Sequence, residues 1–489
     1  MTHPESAMVH AELSSAGRTL IVVCAFLGWL CAGFHLAITS LAMQPAAIEL
    51  LARNGELDRA RYEALNTQAA NRGPARLPTP LSFIDARQLL AWKAKAAGWV
   101  AWLTCAFLIG AATGGLVFGR LGDRIGRSKA MAFSILTYSS MSAAASMAHS
   151  PVQLMVLWYL ACTGVGGMWP NGVALISEAC SSLSRPLAAG LIGTSANIGL
   201  FLLATLAKNF PLSGKSWPWV ADIATAVAQV WPLGLDASFQ GWRWMMVVGA
   251  APLVLGVFAL LAVPESPRWL ASQRELPVGK SADASNWEIF RPPLLKITLI
   301  GIALATIPLI GGWGSANWMS QWAGDVGAAA SPPNLQLMPG VQQARAFTGS
   351  VGSLLGGWIG SVLGRRRTYF LVSLTALAIS QYTFWFVVPT DRDFLYWVSA
   401  LGFFSGIYFG WLPLCLPELF PTRVRSTGAG VSFNFGRILT AVTVFVTGVL
   451  TALFKGDYAQ MGRVTSLIFA LGMIVIIFAP ETSQKQLED

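Results

Sequence analysis

Few side chains in this 489-residue chain are placed to do chemistry. The four histidines, His3, His10, His35 and His149, are scattered, and neither a metal-ligand spacing nor a Walker-type phosphate loop occurs. No catalytic constellation is visible, so an enzyme, a metal site and ATP-driven work are all disfavoured, and no cofactor is expected. The six cysteines lie in or beside apolar stretches without a CxxC pair and read as buried thiols. More informative are polar groups at helical spacing in apolar surroundings. Trp313, Asn317 and Gln321 recur at i, i+4 and i+8, and Thr194, Asn197, Phe201 and Thr205 form a similar stripe. Asn434 stands one turn before Arg437, and Tyr408 one turn before Trp411. Amides beside aromatics suit a polar organic solute, because amides donate and accept hydrogen bonds while rings stack on apolar faces. The same groups serve equally well to join helices through neighbouring backbone.

These groups must be positioned by the apolar segments that carry them. The chain is 54% hydrophobic and 11% charged, against roughly 25% charged in an ordinary soluble domain, and its mean hydropathy is +0.56. So little polar surface cannot cover one soluble core of this size. The apolar residues cluster in blocks of about 20, the length that crosses a hydrocarbon layer of ~30 Å. They predict helical spans over 19–44, 97–118, 130–148, 152–177, 187–208, 242–263, 294–322, 342–363, 368–388, 394–416, 428–454 and 462–479. Twelve is even, so both termini fall on one side. Lys and Arg of the short loops favour that side, which marks it as cytoplasmic. The net charge of +10 thus reflects topology and speaks against a nucleic-acid partner. The expected partners are the lipid bilayer and a small-molecule substrate, with a monomer as the unit. No cleavable signal peptide is evident, and the expected location is the cell membrane, the inner one in a Gram-negative cell.

Three connections divide the chain. Residues 45–95 form a long outer loop whose first half reads as a short amphipathic helix, either a cap over a vestibule or a passive surface loop. Residues 209–241 form a second outer loop with Trp217, Trp219 and Trp231, suited to the membrane interface. Residues 264–293 link two six-helix halves, 1–263 and 294–489. These halves repeat each other. Gly119-Arg-Leu-Gly-Asp-Arg-Ile-Gly-Arg127 after span 2 aligns with Gly357-Trp-Ile-Gly-Ser-Val-Leu-Gly-Arg365 after span 8. Glu178 and Arg185 recur as Glu418 and Arg425, and Pro264-Glu265 recurs as Pro480-Glu481. Such repeats build a midplane site between two rocking halves.

The repeated charges read as a latch. Gly119 and Gly122 let span 2 approach its neighbours and turn. Asp123 is expected near the start of span 3, where unpaired N–H groups favour a carboxylate. Arg124 and Arg127 are within reach of Glu178, and Arg365 of Glu418; such pairs can break when the halves part, or they can simply fix topology. Ser361 stands where Asp123 would recur, so the two copies cannot be equally strong.

On these motifs the chain resembles the major facilitator superfamily across nearly its whole length. The GxLxDxxGRxxA pattern at Gly119–Ala130 is that superfamily's signature, while Pro264-Glu-Ser-Pro-Arg268, the Pro480-Glu481-Thr482 ending and Glu418-Leu-Phe-Pro-Thr-Arg-Val-Arg425 are similar to its sugar-porter and organic-ion branches. The resemblance implies an all-α polytopic fold of twelve spans in two pseudo-symmetric bundles. It also implies that Glu265 and Arg268, with Arg185 and Arg425, extend a cytoplasmic charge network that holds the outward-facing state. The seventh span lacks the Gln-Leu-Ser run of sugar porters.

No Asp or Glu lies in the interior of any predicted span. Proton-coupled relatives commonly place a carboxylate in span 1, which here reads Gly28-Trp-Leu-Cys-Ala-Gly-Phe-His35, and Trp158 stands in span 4 where many have Arg. His35 is the one acid–base group near the membrane middle. The deep charge is Arg437, nine residues into span 11, and an unpaired guanidinium there costs at least ~2.5–3.5 kcal/mol on insertion scales. It reads as a structural pin on backbone carbonyls, as a receptor for an anionic or polyhydroxyl substrate with Asn434, Asn317 and Gln321 nearby, or as a side chain snorkelling to the cytoplasm. The sequence therefore points to a carrier for a sugar, sugar acid or organic anion, working by alternating access as a uniporter or exchanger. A proton symporter using His35 and a transporter-like solute sensor without flux are the alternatives. The expected substrate set is His35, Asn197, Trp313, Asn317, Gln321, Tyr408, Trp411, Asn434 and Arg437.

Overall fold

Backbone N–H and C=O groups find no water in a hydrocarbon layer, so an isolated apolar block has to close its own bonds as a helix. The computed structural model describes residues 13–70, 82–179, 185–207, 241–267, 269–270, 288–313, 315–330, 336–421, 424–454 and 457–482, with positions 226 and 334, and contains no strand among them. The helices are α1 (Ser15–Leu41), α2 (Met43–Arg53), α3 (Arg59–Ala70), α4 (Phe83–Ile125), α5 (Arg127–Ala145), α6 (Pro151–Ala179) and α7 (Arg185–Ala207). After the second outer connection come α8 (Trp242–Ala250), α9 (Leu253–Ala262), α10 (Leu294–Trp313), α11 (Ser315–Ala329), α12 (Leu337–Leu363) and α13 (Arg365–Phe386). The last are α14 (Phe394–Glu418), α15 (Arg425–Leu453), α16 (Tyr458–Thr465) and α17 (Ile468–Phe478). Spans 1 to 5 are α1, α4, α5, α6 and α7, and spans 8 to 11 are α12 to α15. Spans 6, 7 and 12 are each built from two helical pieces.

Among the described residues ten helical segments are long and apolar enough to cross a membrane. α5, which carries span 3, is shorter and more polar, and α15 carries span 11. Two apolar cores form, one mainly from residues of α1 to α9 around Ile38, Tyr138 and Trp158, joined by Ala346 of α12 and Ala441 of α15, the other from α10 to α17 around Tyr369, Tyr408 and Trp411. The fold is all-α and polytopic. Trp217, Trp219 and Trp231 lie outside the described residues.

The connection 45–95 is largely helical. α2, α3 and the first turns of α4 make a cap with its own core of Leu51, Leu57, Tyr62, Leu65, Leu89 and Trp92. Lys95 pairs with Glu56 and holds that carboxyl below its usual range, and Arg61 bonds Asp85 at 2.8 Å. α3 lies against α11 in the second half, where Asp325 has Tyr458 and the cap's Lys93 as neighbours. This end of the bundle is the cap face, and the end with the repeated Gly and charge motifs is the motif face.

The repeat places one clamp in each half, with the last span holding the third. At the motif face Glu265 accepts hydrogen bonds from the backbone N–H groups of Arg127 (2.9 Å) and Ser128 (3.1 Å) at the start of α5. Glu481 does the same for Arg365 (3.0 Å) and Arg366 (3.1 Å) at the start of α13. At the cap face Arg243 donates to the carbonyls of Ser146 (2.6 Å) and Ala148 (3.1 Å) just beyond α5. Arg463 donates to Phe384 at the end of α13, at 2.8 and 3.0 Å. A carboxylate at the N-terminus and a guanidinium at the C-terminus complement the helix dipole. The turns before α5 and α13 are made by Gly126 (φ 108°) and Gly364 (φ 88°), a left-handed conformation that L side chains resist.

These details revise the reading of the signature. α4 stays helical through Ile125, so Asp123 belongs to its last turn, and the N–H groups of α5 are taken by Glu265. Gly122 does pack closely, since a Cβ there would meet Asn171 Oδ1 at 2.0 Å, whereas Gly119 faces open space.

Candidate functional site

The two halves meet chiefly along two helix pairs, with α7 also against α14, and small residues let them approach. Along the first pair, α7 and α12, the entire polar stripe of α7 is engaged across the seam. Thr194 Oγ1 donates to the Ser350 carbonyl at 3.1 Å, and Asn197 Nδ2 donates to Ser353 Oγ at 3.1 Å. Phe201 packs on Phe347 at 5.8 Å, and Gln343 Nε2 donates to Thr205 Oγ1 at 2.8 Å. Along the second pair, α4 and α15, a Cβ on Gly115 would meet Asn434 Nδ2 at 2.4 Å. Cys105 Sγ donates to the Ala441 carbonyl at 3.4 Å. Toward the motif face Trp169 of α6 stacks on Phe433 of α15, with ring centroids 4.9 Å apart and planes 17° apart.

Arg437 sits in this second seam, twelve residues beyond the start of α15, a rise of about 18 Å. It is 7% exposed. Its Nη1 donates to the Ala111 carbonyl of the other half at 3.2 Å and, more weakly, to Asn434 Oδ1 at 3.4 Å. Its guanidinium lies 4.8 Å from the Phe433 ring centre. Arg437 is thus a cation held across the boundary by neutral groups. A second guanidinium within the spans, Arg345 of α12, was not marked out by the apolar pattern. Its Nη2 donates to Gln342 Oε1 at 3.1 Å.

Three of the expected substrate residues face the interior of their own bundle. His35 is fully buried in the first half, with Nδ1 3.2 Å from the Cys31 carbonyl and its ring between Tyr138 (5.0 Å) and Trp158 (5.5 Å). Tyr408 shares a 2.7 Å hydrogen bond with Ser373 and packs on Tyr369 and Phe469. Trp411 Nε1 donates to the Arg365 carbonyl at 3.0 Å. The helical period showed that Tyr408 and Trp411 share a face, and that face meets α13. Gln321 lies half-buried on α11, and the side chains of Trp313 and Asn317 lie outside the described ones.

The charge pairs of the motif face close within each half. Arg365 grips Glu418 through Nη2–Oε1 (2.9 Å) and Nε–Oε2 (3.0 Å), and Thr482 adds a 2.7 Å bond to Glu418 Oε2. Ser361, in the place of Asp123, accepts from Arg365 Nη1 at 3.3 Å. The first copy is looser: Arg127 Nε lies 3.5 Å from Glu178 Oε1. Arg124 is exposed. The side chains of Asp123, Arg185, Arg268 and Arg425 lie outside the described ones. No group of three or more metal-ligating side chains occurs among the described residues.

Two bundles meeting along paired spans, with each signature motif at the same face, form an arrangement that also appears in known proteins. The chain is 25% identical over 382 residues to a cis,cis-muconate transport protein of Acinetobacter baylyi, covering 76% of this chain and 83% of that one. It is 26% identical over 389 residues to a probable 4-methylmuconolactone transporter of Cupriavidus pinatubonensis, covering 77% and 80%. Its fold matches that of the proton:xylose symporter XylE bound to 6-bromo-6-deoxy-D-glucose with a TM-score of 0.61 at 17% identity, over 97% of this chain and 98% of that one. The family model described as Major Facilitator Superfamily matches residues 25–444. From the first span into the eleventh, by sequence motif as by architecture, the chain belongs to the major facilitator superfamily of membrane transporters.

Proposed function

We propose that this transporter carries a small organic anion, with carboxylates as the class it favours, by alternating access as a uniporter or exchanger. The observation that carries this reading is Arg437, a buried cation on the boundary between the halves whose bonded partners are a carbonyl and an amide oxygen. In low dielectric such a charge attracts an anion strongly, and its fork matches a carboxylate. The names of the two relatives above point to organic acids, in the same direction. Residues 1–263 and 294–489 are the moving units, 264–293 is their link, and the motif face lies in the cytoplasm. Asn434, Gln321, Asn317 and Trp313 complete the proposed substrate set with Arg437, while Asn197 acts at the seam. His35, Tyr408 and Trp411 support their own bundles.

The absence of an interior Asp or Glu from every span supports a proton-independent cycle. Uptake of cis,cis-muconate into proteoliposomes, with a pH-sensitive dye inside, tests both parts. The expected result is exchange driven by the solute gradient with no proton influx. Binding without flux under any gradient would make the protein a sensor, and proton influx with solute, abolished in His35→Ala, would make it a symporter.

A further inference from the structure

On α12, two hydrogen-bond donors lie buried without an acceptor among the described residues: Nη1 of Arg345 and Nε2 of Gln342. They belong to one unit, because Arg345 Nη2 is already bonded to Gln342 Oε1. Snorkelling does not explain the arrangement. Arg345 lies eight residues inside the cap-face end of the helix, about 12 Å deep, and Gln342, one turn nearer that face, is 1% exposed. The guanidinium therefore reaches toward the cap face and stops beneath a buried amide.

The neighbours of α12 fix the direction of Gln342, while the Arg345 backbone lies against Gly402 of α14 and its side chain reaches from there to the Gln342 amide. Gln343, Ser350 and Ser353 turn toward α7 of the other half. Gly352 and Gly356 turn toward α14, where added Cβ atoms would strike the Phe403 and Ile407 carbonyls at 2.0 and 2.4 Å. Val351, Trp358 and Val362 are exposed on the outer surface. Gln342 shares the buried strip between the first two sets with Ala346 and Gly349, three and four residues apart on the helix. That strip faces the meeting of the two halves.

Buried donors are almost always satisfied in folded proteins, and a charged one most of all. The missing acceptor must accept from a guanidinium and an amide at once, which a carboxylate does with its two oxygens and an amide or hydroxyl does poorly. We infer that Arg345 and Gln342 form a carboxylate-binding subsite of the transport pathway, separate from Arg437. This rests on the organic-anion reading above and adds a residue pair that selects carboxylate over its neutral analogue.

The test uses the purified full-length protein, with benzoate, cis,cis-muconate and the neutral benzamide as probes in a thermal-shift titration and in proteoliposome exchange. Wild-type protein is expected to be stabilised by a carboxylate and not by benzamide. Arg345→Gln removes the charge and is expected to weaken carboxylate binding at least about tenfold. Gln342→Glu gives the guanidinium an internal partner, so it is expected to fold at least as stably as wild type while binding carboxylate at least about tenfold more weakly. If Arg345→Gln fails to fold, Gln342→Glu decides. Wild-type affinity in either folded variant would overturn the subsite, as would wild-type protein that ignores both carboxylates while exchanging a neutral sugar. Absence of flux for every solute would instead overturn the transport reading itself.

Discussion

At the scale of single residues, the sequence made Arg437 conspicuous because a charge among apolar neighbours has to be accounted for. It could not say what the guanidinium would meet, since its partner Ala111 is 326 positions away. Arg345 escaped notice for a different reason. The predicted span began at 342, which made Arg345 an end charge, whereas α12 begins at Leu337 and carries it deeper. Tyr408, Trp411 and His35 show the limit of periodicity: it groups residues on a face without naming the helix that the face meets. Arg437→Gln keeps a donor but loses the charge and the fork. Hydrogen bonds from a charged group contribute about 1.5–3 kcal/mol, so uptake is expected to fall roughly tenfold or more in a protein that still folds. Arg437→Lys keeps the charge without the fork and is expected to fall between. Normal transport in both variants would remove Arg437 from the proposed site, and loss of folding in both would assign it to the seam alone.

At the scale of elements, the repeated Pro-Glu pair was legible but its work was not. Glu265 reads as part of a charge ring and Glu481 only as its repeat, whereas in the structure each accepts from the first N–H groups of α5 or α13. Its Arg counterparts, Arg243 and Arg463, close the opposite ends, and no local pattern links them because the clamp joins non-adjacent spans. Glu265→Gln and Glu481→Gln retain one acceptor oxygen and are expected to lower stability by about 1–2 kcal/mol each. A melting temperature unchanged in both would contradict the clamp. The cap's α2 is held to the first bundle by Met43, Ala46 and Leu50 in its core and by Glu49, which pairs with Arg243 at 3.0 Å and accepts from Trp242 Nε1 at 2.7 Å. Glu49→Ala leaves the guanidinium its two carbonyl acceptors but no counter-charge and is expected to cost about 3–5 kcal/mol. Hydrogen exchange should then rise in α2 and α5 before the second half responds, and uniform loosening would show that the cap is not anchored there.

At the scale of the whole molecule, the twelve spans and the duplicated halves followed from apolar block length and repeated motifs. Which seams hold the halves together followed from neither, because the period that groups Thr194 with Asn197 does not name the helix they meet, 156 positions away, and Gly115 carries no signal of its own. In the proposed cycle the contact between Trp169 and Phe433 near the motif face has to open, while the cap face opens in the alternate state. A paired Trp169→Cys and Phe433→Cys protein in a cysteine-free background measures this directly. Oxidation, or a short bifunctional thiol reagent, should stop carboxylate exchange in proteoliposomes while thermal stabilisation by the carboxylate persists, and reduction should restore exchange. Undiminished exchange in the cross-linked protein would contradict alternating access across this boundary.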